Sequence, residues 1–215
     1  MTAEASTAPA LEGGPPLART MGPDRLGAFS DAVIAVIITI MVLELKAPAE
    51  ANFAALGELW PNAASYAVSY LFIAVIWINH HHLLRFVRQP TARLIWLNFA
   101  HLFLVSLVPF ATQWVARTEL ASAAVTAYAA VFVCVDLAYL IFEREVMAQA
   151  DCSQVPLRAR RLARGRSLLT LAVFAAAGVV AIAWPLAGFG LICLALSFYV
   201  RPELPGMNLA RPQNP

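Results

Sequence analysis

An acid set into an apolar run, Asp31, and three consecutive histidines, His80, His81 and His82, are the residues whose chemistry stands out in this chain. A carboxylate inside hydrocarbon is costly and marks a functional or interhelical role. Imidazoles titrate near neutrality and also bind metals. Successive residues on a helix point about 100° apart, however, so three adjacent histidines cannot converge on one ion without ligands from another helix. No metal site and no cofactor are therefore expected. Asn79, the histidines, Trp77, Asn98 and His101 all fall at the same depth as Arg25, Ser30 and Asp31, and Asp136 lies within about two turns of that level. Polar groups in lipid must satisfy one another, so this shared depth predicts an interhelical hydrogen-bond belt. Trp77 and His81 are spaced i, i+4 and share one helix face. Asp136, near Tyr139 and Arg144, reads either as a paired structural acid or as part of a proton relay.

The elements that must carry these groups are membrane helices. Sixty per cent of the residues are hydrophobic and 13% charged, with mean hydropathy +0.69, against roughly 25% charged in ordinary soluble domains. A formal charge of +2, with the arginines placed between apolar blocks, excludes nucleic acid as a partner. Cys134, Cys152 and Cys193 are odd in number and form no CxxC, so neither a disulfide framework nor a thiolate site is indicated. Apolar stretches at 26–45, 62–80, 94–115, 120–142, 168–183 and 186–200 give an all-α integral membrane protein with about six spans in residues 25–200. Residues 1–24 and 201–215 read as tails outside it. The last two stretches are separated only by Trp184 and Pro185, where the chain either kinks or turns back. With six spans, thirteen of the fifteen basic residues share one side and only Lys46 and Arg117 lie opposite. The positive-inside rule then favours a hairpin and places both termini in the cytoplasm.

The first span has two jobs. Val36, Thr39, Ile40 and Leu43 follow i, i+3, i+4, i+7 and form one stripe, apolar except for a hydroxyl. Asp31 projects about 140° away from Val36, toward the expected belt. Such a stripe is lipid-facing or core in most membrane helices, so spacing alone leaves its role open. Glu44 either pairs with Lys46 or raises cation concentration at an outer mouth.

RLGAFSD from Arg25 to Asp31, with VIITIMVLELKAP after it, resembles the signature of the bacterial homologues of the lysosomal potassium channel transmembrane protein 175. Trp77 with His80 and His81, then Asn98 and SLVPFAT from Ser106 to Thr112, extend the resemblance through the first three spans; beyond them it is architectural. The resemblance implies a six-helix protomer in a homotetramer of the bacterial cell membrane, with helix one lining a central pathway for K+. It places the constriction at Val36, Ile40 and Leu43 and the polar position at Thr39. It also assigns the structural network to Arg25, Phe29, Ser30, Asp31, Trp77, His81 and Asn98, with His80 as the substitute for His81. No TVGYG loop is present. Val36 stands where isoleucine is common, and His101 where an apolar residue is expected. The self-assembled oligomer, the lipid bilayer and potassium ions are the expected partners. The competing expectation is a proton-coupled secondary transporter using Asp31, His81, His101 and Asp136, although no inverted repeat supports it. An enzyme is not expected.

Overall fold

A computed structural model describes residues 22–149 and 157–199, so the expected tails lie outside the described residues, apart from residues 22–24. The described residues form eight helices and no strand. They are α1 (Pro23–Leu43), α2 (Phe53–Glu58), α3 (Trp60–Leu84), α4 (Ala92–Val105), α5 (Val108–Arg117), α6 (Ser122–Gln149), α7 (Leu157–Ala183) and α8 (Pro185–Tyr199). Five stretches are long and apolar enough to cross a membrane: α1, α3, α4 with α5, α6, and α7 from Arg164 onward. At 1.5 Å per residue the 21 residues of α1 rise about 32 Å, which matches a hydrocarbon core of about 30 Å. The fifteen residues of α8 rise only about 22 Å. It is apolar but shorter than these five, so the described residues hold five full-length spans and one short apolar helix.

The third span is not one helix. Pro109 removes a backbone donor, and at the α4–α5 junction the amide of Leu107 bonds the carbonyl of Leu104, three residues back, at 3.1 Å. After α5 the chain reverses in a tight cap. Glu119 and Leu120 take positive φ of 49° and 60°, and the Leu120 amide reaches the Val115 carbonyl at 3.0 Å. Val115 and Leu120 are both buried, which supplies the apolar contact of that cap.

Trp184 and Pro185 mark a reversal. A Cβ on Gly188 would lie 2.6 Å from the Ala181 Cβ and 2.7 Å from the Ala177 carbonyl oxygen, so α8 is folded flat against α7 and only glycine fits there. Leu196 lines a crevice with Thr170 and Phe174. The two pairings keep one antiparallel register.

The core is aromatic where α3, α6 and α7 meet. Phe72 stacks on Phe132 with centroids 3.7 Å apart, and Phe174 stands edge-on to both. At the junction of α6 and α7, Ser122 Oγ donates toward the Ala181 carbonyl at 2.6 Å, and Gly178 leaves room for the Ala129 methyl. Small residues and hydroxyls draw membrane helices together in this way, because burial from lipid adds no hydrophobic gain.

Candidate functional site

The two faces of α1 differ as its periodicity requires. Leu26, Ser30, Ile34, Ile37 and Met41 are buried against the bundle. Val36, Ile40 and Leu43 are 54%, 45% and 77% exposed, and Thr39 is exposed among them. The exposed stripe is centred about 130° from the buried one. Thr39 Oγ1 donates to the Val36 carbonyl at 2.8 Å, which leaves its lone pairs on the outer side of the helix. The single chain thus presents a continuous apolar ridge with one oxygen in it.

Behind that ridge, α1 is clamped to α3 and α4. Asn98 Nδ2 donates to Ser30 Oγ at 3.0 Å, and Ser30 Oγ donates in turn to the Leu26 carbonyl at 2.9 Å. His80 Nε2 lies 2.7 Å from Asn98 Oδ1. The consistent assignment has the His80 Nε2–H donating to that oxygen, so Asn98 satisfies two helices at once. On the flank, Trp77 Nε1 donates to Asp31 Oδ1 at 2.8 Å. Phe29 meets Phe99 of α4 edge-on at 5.3 Å. Ser30, His80 and Asn98 are fully buried, where an unmade hydrogen bond is expensive.

His80 rather than His81 enters this buried chain. Its i, i+4 partner is Leu84, on the face packed into the protein. His81 lies one residue and about 100° further round, half-buried, with its ring 5.5 Å from that of Trp77 and Arg85 at 3.4 Å from its Nε2. His82 is exposed, and the three side chains diverge. Arg25 is exposed in the first turns of α1 and forms no hydrogen bond or ion pair with Ser30 or Asp31. Among the described residues no three His, Cys, Asp or Glu side chains converge to hold a metal.

A second buried polar node is absent from the expected belt. Ser69 Oγ lies 2.6 Å from Thr112 Oγ1 and 2.7 Å from Tyr128 OH, joining α3, α5 and α6. Its signal in sequence is a hydroxyl in each of three apolar helices, which gives no hint that they meet. Beyond the clamp, the His101 ring stacks on His80 at 5.8 Å and lies 5.8 Å from Tyr139. His80 Nδ1, both His101 nitrogens and Asp136 Oδ2 are buried without a hydrogen-bond partner among the described residues. Asp136 lines a narrow crevice with Asn79 and Tyr139. Glu44 and Lys46 form no ion pair with each other, whereas Arg93 pairs with Glu145 at 3.1 Å across α4 and α6.

The described residues thus form an all-helical bundle in which one apolar helix is clamped by a Ser-Asn-His chain and exposes an apolar ridge on its other side. Over its first three spans the chain belongs to the TMEM175 family. Residues 25–109, which hold the ridge and the clamp, match the family model described as endosomal/lysosomal potassium channel TMEM175. A protein named as a potassium channel from Chryseobacterium sp. is 39% identical over 127 residues, or 59% of this chain and 66% of that relative. One of the same description from Streptomyces collinus is 37% identical over 123 residues, 54% of this chain and 60% of the relative. The match thus spans about two thirds or less of the length of these relatives. The chicken endosomal/lysosomal proton channel TMEM175 is 29% identical over 109 residues, 45% of this chain and 22% of that protein. The fold itself matches the crystal structure of a lysosomal potassium-selective channel TMEM175 homolog from Chamaesiphon minutus, with TM-score 0.70 and 23% identity. That match covers 83% of this chain and 96% of the other, and so extends to helices the family model does not reach.

Proposed function

We propose that this chain is the protomer of a passive potassium channel, in which several copies, four by resemblance, place α1 around a central pathway. The observation that carries this reading is the division of α1. Ser30 and Asp31 are committed to the clamp, while Val36, Thr39, Ile40 and Leu43 stay uncovered within one protomer. Brought together by symmetry, these residues form rings. The apolar rings restrict water and ions in the manner of a hydrophobic constriction, and the Thr39 oxygens replace part of the hydration of a cation. Val36, one methylene smaller than isoleucine, leaves the widest of the branched rings. The relatives named as potassium channels support K+ as the permeant ion. Both termini face the cytoplasm of a bacterial cell in this reading, because the basic residues gather at the opposite end from Lys46 and Arg117.

Purified protein in vesicles tests it directly. The reversal potential should follow an imposed potassium gradient, and a flux no greater than that of empty vesicles overturns the reading. Proton movement is a second reading with observations of its own: the unpartnered buried atoms of His80, His101 and Asp136, and the vertebrate relatives named as proton channels. A pH-sensitive dye inside the same vesicles separates the two, since a reversal potential that follows the proton gradient instead favours the second.

A further inference from the structure

Lys46 is the only lysine in the sequence, and among the described residues it and Arg117 are the only lysine or arginine at their end of the bundle. They line one cavity, of about 90 Å³, between the end of α1, the start of α3 and the end of α5. Glu44, Asn62, Tyr66 and Gln113 line it too. None of the three charged groups forms an ion pair with a described residue. The level of the cavity follows from its neighbours. Trp60 and Trp114 are exposed beside it, in the position of an interfacial aromatic belt, and α2 buries none of its residues and exposes Phe53 and Leu56. The mouth therefore opens where the head groups of one leaflet lie.

We propose that this cavity binds the head group of a phospholipid bearing a free ammonium, of the phosphatidylethanolamine type. Arg117 offers a planar fork of donors and Lys46 a point charge, both suited to a phosphate diester. Asn62, Gln113 and Tyr66 supply neutral hydrogen bonds. Glu44, which would repel a bare anion, accepts from the ammonium instead. Two cations and one carboxylate thus match a zwitterion better than inorganic phosphate. Since Met41, Glu44 and Leu45 contribute walls, an occupied cavity ties the end of α1 to α3 and α5, next to Leu43 of the exposed ridge. The binding claim is independent of the conduction reading, because lipid retention is read without flux.

The test is native mass spectrometry of the full chain in detergent, titrated in parallel with phosphatidylethanolamine, phosphatidylcholine and inorganic phosphate. The wild type should retain phosphatidylethanolamine about tenfold better than phosphatidylcholine, as expected for lost charge-assisted bonds to the ammonium. K46Q/R117Q should lose that retention, and E44Q should lose the preference while keeping affinity for the phosphate. K46Q alone, at an exposed loop position, serves if the double variant fails to fold and should lower retention several-fold. Unchanged retention in K46Q/R117Q, or in K46Q where only that variant folds, overturns the site. Equal retention of the two lipids, or displacement of the lipid by millimolar inorganic phosphate, overturns the ammonium-bearing lipid as its occupant.

Discussion

Asn98 Oδ1 and His80 Nε2 stand 2.7 Å apart in a fully buried setting, and the amide of the same Asn98 holds Ser30. One side chain of α4 therefore fixes α3 and α1 together, and the orientation of α1 about its own axis depends on it. That orientation decides which residues of α1 the bundle leaves uncovered.

Asn98→Ala leaves the His80 ring and Ser30 buried without that partner. At about 1–3 kcal/mol for a buried unsatisfied group, the loss should lower the thermal midpoint in detergent by several degrees. His80→Ala should be destabilising and His81→Ala nearly neutral; the reverse order in thermal unfolding would move the buried role to His81.

Trp77→Phe keeps the ring against His81 but removes the indole donor to Asp31. Trp77 is partly exposed, so water replaces part of the bond and the loss should be about 1 kcal/mol, below the range for a buried bond to a charged group. Asp31→Asn should cost a similar amount, and the double variant should cost little more than either alone. Full additivity in that cycle would show the two side chains to be uncoupled.

Ile37 and Ile40 are three residues apart on opposite sides of the division. Ile37→Ala, at 4% exposure, should destabilise the protein by about 2–4 kcal/mol. Ile40→Ala and Leu43→Ala should leave the monomer's stability almost unchanged while altering ion flux or selectivity in vesicles. Unchanged currents in both ridge variants would place the constriction elsewhere.

Thr39→Val keeps the shape and removes the oxygen. Potassium flux should fall, with no change in helix content by circular dichroism, whereas equal flux would dismiss the hydroxyl as a cation contact.

Gly188→Leu forces a side chain into the α7–α8 contact, where even a Cβ has no room. Overpacking of this kind should cost at least about 1–3 kcal/mol. Protease cleavage near 184–188 should then appear in the variant and not in the wild type; equal resistance would mean the hairpin accommodates the side chain by shifting.

The sequence by itself determined the class. Uninterrupted apolar stretches with so few charges have no home but a bilayer, and the RLGAFSD run with Trp77, Asn98 and the 3.6-residue stripe of α1 identified the family and the two faces of one helix. Helical periodicity is local, so these features could be read along the chain. What the tertiary structure decided was every partnership across helices. It chose His80 over His81 for Asn98, because a difference of one residue is 100° of rotation and only packing reveals which direction points inward. It broke the third span at Pro109, joined Ser69 to Thr112 and Tyr128, and left Asp136 Oδ2 without a partner. It folded α8 back on α7 at Gly188 and brought Lys46 and Arg117 to one cavity. These relations join residues tens of positions apart, and the distance between two helices in space is not written in the spacing of either.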